Sequence, residues 1–142
     1  MEEQSAVGAK AEKVQPVNTV LVVDDEENWC FVIKRILQKA GVGNQIFTAN
    51  NGLQALEKLK AIAATNEKLP ELIFIDLKMP VMDGFEFLEE ATQSPELDLS
   101  QTRIFVLTSS MLPQDKERAN EYPIAGFISK PLTHQILTSI IS

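Results

Sequence analysis

Four tight apolar runs and one looser one punctuate the chain, and each is bounded by polar or turn-forming residues. Val20–Val23, Leu72–Ile75, Ile104–Leu107 and Ala125–Ile128 are short and apolar throughout, and Ile46–Ala49 is a weaker version of the same pattern. Short all-apolar runs of this length read as strands buried on both faces, as in a parallel sheet. Between them lie stretches of three-to-four apolar periodicity, which predicts amphipathic helices. Trp29, Ile33, Ile36, Leu37 and Ala40 form the first stripe, stopped by Gly41 and Gly43. Leu53, Leu56, Leu59 and Ile62 form the second, after the turn Asn50-Asn51-Gly52. A third helix is expected from about Gly84 to Thr92 with Phe85 and Leu88 inward, and Ser94–Gln101 reads as a polar connection. Pro113 suits the first turn of a fourth helix, where a missing N–H costs little. Leu132, Ile136, Leu137 and Ile140 mark the last stripe.

Strands alternating with helices predict a parallel sheet covered by helices on both faces. The expectation is a (βα)5, doubly wound, flavodoxin-like sheet of strand order 2-1-3-4-5. Five units are too few for an eight-stranded barrel. Residues 1–18 are polar, Ala-rich and aperiodic, and are expected to be a flexible tail; residues 19–142 would be the folded domain. The chain stops after the fifth helix, which predicts a single-domain protein with no output domain.

Composition narrows the function classes. Thirteen basic against twenty acidic residues leave a net charge of −7, which argues against direct nucleic-acid binding and suits a cation or a basic surface. Cys30 is the one cysteine, so no internal disulfide forms and a cytoplasmic protein is expected. The N-terminus lacks a signal-peptide pattern, and no apolar run approaches the ~20 residues of a membrane span.

The chemistry stands at the strand ends. Strand one delivers Asp24 and Asp25, strand three Asp76, strand four Thr108 and strand five Lys130. In the order 2-1-3-4-5 these four strands converge on one crevice at the switch point of the sheet. Three carboxylates close together repel, and a hard divalent cation such as Mg2+ or a lysine ammonium relieves them. A cation, a lysine, a hydroxyl and a central carboxylate together suit phosphoryl transfer, with Asp76 as nucleophile. Mg2+ would bridge Asp25, Asp76 and the phosphoryl oxygens, and Lys130 and Thr108 would hold the rest. Each residue alone has a plainer reading: an aspartate after a strand is as readily a helix cap or turn former. Asp83-Gly84 reads as turn and cap, His134 as a solvated helix residue, Cys30 as inert packing and Trp29 as core.

LVVDDEE at 21–27, LIFIDLKMPVMDG at 72–84, VLTSS at 106–110 and GFISKP at 126–131 together resemble the receiver domain of two-component response regulators. The resemblance covers residues 19–142. It implies Asp76 as phosphoacceptor, Asp25 as a direct Mg2+ ligand, Asp24 as the acid that orients metal-bound water, and the backbone carbonyl of Lys78 as a further ligand. It implies Thr108 as the switch hydroxyl, Phe127 as the switch aromatic, and Lys130 as the conserved-type lysine, followed by a cis bond to Pro131. Lys78 and Ser110 sit where the family varies and where phosphoryl lifetime is tuned. The donor would be a sensor histidine kinase or a histidine phosphotransfer protein. The signal would leave through a partner docked on the face of helix four, strand five and helix five. The competing enzyme reading is an aspartyl-phosphate phosphohydrolase of the haloacid-dehalogenase type. It wants a second acid two residues past the nucleophile, and here that position is Lys78.

Overall fold

The structure, a computed structural model, describes residues 17–141. Most of the expected tail and Ser142 fall outside the described residues. Val17 and Asn18, the two tail residues that are described, lie against the body: Val17 O accepts from Gly43 N and Asn18 O from Gln45 N, each at 3.0 Å.

Five strands run parallel in one sheet of order β2-β1-β3-β4-β5, as expected. They are β1 (Thr19–Val23), β2 (Gln45–Ala49), β3 (Leu72–Ile75), β4 (Arg103–Thr108) and β5 (Gly126–Ser129). The helices are α1 (Glu27–Lys39), α2 (Gly52–Ala64), α3 (Gly84–Gln93), α4 (Pro113–Ala119) and α5 (His134–Ile141). The strands divide their side chains by parity, since successive residues point to opposite faces. Leu21, Val23, Ile73, Ile75, Ile104 and Val106 enter one apolar cluster, together with Ala55, Leu56 and Leu59 of α2, Phe87 and Leu88 of α3, and Ala119 of α4. Val20, Val22, Leu72, Phe74, Phe105 and Leu107 enter the other, with Cys30, Ile33 and Leu37 of α1 and Leu137 and Ile141 of α5. Both faces are therefore dry, which is why the strands read as unbroken apolar runs and not as alternating ones.

Two inward assignments and one connection differ from the sequence expectation. Leu53 is exposed, and Ala55 is buried in its place. The connection after α3 is not wholly polar, because Leu97 is buried and Leu99 packs against the first cluster. Trp29 is half-buried and belongs to neither cluster of the described residues. Phe127 is half-buried on the edge strand and packs against the first cluster.

Candidate functional site

The sheet itself places the site. Asp24, Asp76 and Lys130 each stand one residue beyond a strand, and each backbone N–H extends the ladder to the neighbouring strand. Asp24 N donates to Ala49 O at 3.0 Å, Asp76 N to Val23 O at 3.0 Å, and Lys130 N to Thr108 O at 2.9 Å. Parallel register then sets all three at the same edge, the C-terminal one. Only the two central acids are buried with their strands: Asp24 is 2% and Asp76 7% exposed, whereas Asp25 faces solvent.

Carboxylate oxygens of Asp24, Asp25 and Asp76 lie within 4.8 Å of one another. The Lys130 ammonium stands between the two buried ones, 2.7 Å from Asp24 Oδ2 and 2.9 Å from Asp76 Oδ2. The other oxygens are held by backbone: Asp24 Oδ1 accepts from Glu26 N at 2.9 Å, and Asp76 Oδ1 from Leu77 N at 2.7 Å. Burial pushes the Asp24 carboxyl above its ordinary value, against the pull of Lys130 and the Glu26 N–H. Burial alone would lower Lys130, but its hydrogen bonds to Asp24 and Asp76 outweigh that and hold it above the usual lysine range. One cation against three acids leaves the pocket short of positive charge. The donor set is all oxygen, which fits a hard divalent ion such as Mg2+ and not a soft one.

Thr108 is buried at the end of β4, and its hydroxyl oxygen accepts from Ser110 N at 3.2 Å. Ser110 Oγ in turn donates to Asp115 Oδ2 at 2.5 Å, tying the loop to the start of α4. In this state the hydroxyl is thus engaged with its own loop. Lys78 lies two residues past Asp76 with an exposed side chain. The Lys130–Pro131 bond is cis. His134 is exposed at the first residue of α5, as expected. Cys30 is buried, its thiol pushed up to about 11 mainly by that burial.

Two contributors were not legible as such in the sequence. Asp83 does cap α3, with a reciprocal capping box to Glu86. Gly84, however, does more than turn the chain. A Cβ there would meet Leu77 Cα at 2.9 Å and the Asp76 carbonyl oxygen closer still. Gly84 N also donates to Leu77 O at 3.0 Å, so the loop folds back directly under Asp76. A glycine as first residue of a helix, where the cap is already supplied, is the signal that marks such an approach. The second is Trp29, whose ring lies 4.7 Å from Lys130 Nζ.

The chain is a doubly wound α/β domain whose acids and lysine gather at the carboxyl ends of the strands, where open sheets of this kind bind their ligands. Within that class, the chain belongs to the response regulator receiver domain family, whose model matches residues 20–142. It is similar to the two-component response regulator ORR41 of Oryza sativa subsp. japonica, at 33% identity over 87% of this chain and 91% of that one. It is 30% identical to the sensor histidine kinase CheAY of Helicobacter pylori over 86% of this chain, yet spans only 14% of that kinase's length. A solved two-component response regulator from Cytophaga hutchinsonii superposes with TM-score 0.80 at 26% identity, covering 89% of this chain and 95% of that one. The family is one of signalling phosphoacceptors in phosphorelays and not of enzymes turning over free substrates. Among the described residues, no helix is long and apolar enough to cross a membrane.

Proposed function

We propose that Asp76 is the phosphoacceptor of a two-component pathway and that residues 19–142 act as one phosphorylation-controlled switch in the cytoplasm. The observation that carries this is the pocket itself: a buried carboxylate held by Leu77 N–H and Lys130, with Asp24 and Asp25 within reach of the same ion. Asp24, Asp25, Asp76 and the Lys78 carbonyl would hold Mg2+, which supplies charge neutralisation for the phosphoryl oxygens.

The chain's own residues do the rest. Asp76 Oδ2 attacks the phosphorus of a phosphohistidine on a sensor kinase or phosphotransfer protein. The P–N bond breaks, and the imidazole nitrogen leaves with the electron pair and takes up a proton. The Leu77 N–H fixes the carboxylate so that its other oxygen faces the donor, a gain of orientation made before the donor arrives. As Asp76 becomes an acyl phosphate the negative charge passes to the phosphoryl oxygens, and Lys130 shifts a hydrogen bond to them. Those oxygens also draw the Thr108 hydroxyl away from Ser110 N–H, which pulls on the loop leading into α4. The space left beside β4 admits Phe127, and the face of α4, β5 and α5 changes shape for a target protein.

A phosphohydrolase has no support in the pocket: Lys78 occupies the position of the required second acid, and its side chain faces solvent. Incubation with Mg2+ and acetyl phosphate or p-nitrophenyl phosphate separates the two. The acceptor reading predicts at most one phosphoryl group per chain, lost in Asp76→Asn, with no sustained turnover of the nitrophenyl ester. Sustained turnover, or labelling that survives Asp76→Asn, would overturn it.

A further inference from the structure

Lys130 has a third neighbour besides the two acids, and it is uncharged. Its ammonium stands 4.7 Å from the centre of the Trp29 ring. Three other cations of the described chain lie over rings: Arg35 on Phe31, Lys58 on Phe47 and Arg118 on Phe85. None of those cations is buried, whereas the Lys130 side chain is only 3% exposed. Cation–π attraction grows as the cation loses water, from roughly twofold in an equilibrium constant at exposed sites to about thirty-fold when desolvated. The Trp29 contact is therefore the strong one of the four. Trp29 itself lines a surface depression with Glu26, Glu27 and Asn28.

We infer that Trp29 is a positioning residue for Lys130, holding the ammonium in place while its hydrogen bonds pass from Asp76 to the phosphoryl group. This rests on the phosphoacceptor reading above. In the free protein the two carboxylates fix the ammonium without help. When Asp76 becomes an acyl phosphate the ammonium must let go of the carboxylate oxygen and turn to the new phosphoryl oxygens, while the Trp29 ring keeps its contact on another side. A carboxylate or carbonyl at this position would also attract the ammonium, but it would claim N–H donors that the phosphoryl oxygens need. A ring face attracts the charge and leaves the donors free to turn. The position of the ring follows from the helix start: Trp29 N and Cys30 N both donate to Glu26 O, at 3.0 and 3.3 Å, so the first turn of α1 sets the indole beside the acid pair.

The test compares Trp29→Phe with Trp29→Leu, singly and on a Lys130→Met background. Two quantities are read: the affinity for beryllofluoride at saturating Mg2+, by fluorine NMR, and the Lys130 Hε chemical shifts in the metal-free protein. The expected result is an upfield ring-current shift of Hε with Trp and Phe that disappears with Leu. Beryllofluoride binding should weaken about fivefold in Trp29→Leu and be largely restored in Trp29→Phe, the size of a partly desolvated cation–π contact. That difference should vanish once Lys130 is Met. Equal affinity of the Trp, Phe and Leu forms, or a Leu defect that persists without Lys130, overturns the inference alone. Failure of the unsubstituted protein to take up beryllofluoride with Mg2+ overturns it together with the phosphoacceptor reading. Thermal unfolding of each variant identifies a loss that comes only from misfolding, and Trp29→Phe then carries the test.

Discussion

Replacing Lys130 by Met removes the one cation from a pocket that holds three acids. Asp24 and Lys130 are 2% and 3% exposed in their side chains, so neither partner is well hydrated after the other is gone. Stripping one partner from a buried pair costs about 3–5 kcal/mol, because the remaining charge stays desolvated. The Asp24 carboxyl already lies above its ordinary value of 3.8 through burial, and loss of Lys130 removes the interactions that lower it. The variant's deficit is therefore pH-dependent, with a definite sign. A folded-state carboxyl raised above its unfolded value binds a proton that the unfolded chain has released, so stability falls as pH rises. The window opens near the unfolded value of 3.8 and closes above the raised folded one. In the presence of a chelator, urea unfolding should show a loss of about 3 kcal/mol at pH 7.5 and thermal unfolding a midpoint lower by roughly 10 °C, both shrinking clearly at pH 5. On the proposed function saturating Mg2+ should recover part of the loss, since a ligand taken only by the folded state favours folding. An equal deficit at both pH values, or none at either, would refute the claim that Lys130 holds the buried acids Asp24 and Asp76.

Gly84→Ala should destabilise by about 2–3 kcal/mol despite alanine's better helix propensity, because its Cβ meets backbone that cannot turn aside, and should slow acetyl phosphate labelling by displacing Asp76; denaturant titration and labelling kinetics read the two effects. Asp83→Ala should cost about 1 kcal/mol through loss of the capping box, with labelling unchanged. The Cys30 thiol, buried and with its pKa raised to about 11, should react with Ellman's reagent at pH 8 only after denaturation; prompt reaction of the folded protein would show that α1 opens.

The strands β1, β3 and β4 were the most legible part of this chain because burial on both faces keeps their middles apolar, whereas β2, with Gln45 and Thr48 exposed, gives a weaker pattern. The site residues were legible for a related reason: parallel strands all end at one edge, so the polar residue after each apolar run is already a member of the same neighbourhood. Helix faces were harder. Leu53 falls on a regular stripe yet is exposed, and Ala55 takes the buried place. Trp29 sat on the first stripe by spacing, but the stripe ends where the helix meets the pocket, and there a large ring covers an ammonium and not the core. Gly84 looked like a turn residue because its close approach to the backbone of Asp76 and Leu77 leaves no periodic trace. Thr108 was correctly placed at a strand end, but its engagement with Ser110 N–H depends on the loop's own conformation.

The most direct measurement is the site of phosphoryl transfer. The protein is treated with acetyl phosphate and Mg2+, reduced with borohydride, digested and mass-analysed, since borohydride converts an acyl phosphate to an alcohol. The account predicts homoserine in place of Asp76, dependent on Mg2+ and absent from Asp76→Asn. Reduction at another carboxylate, or none with Mg2+ present, would contradict it.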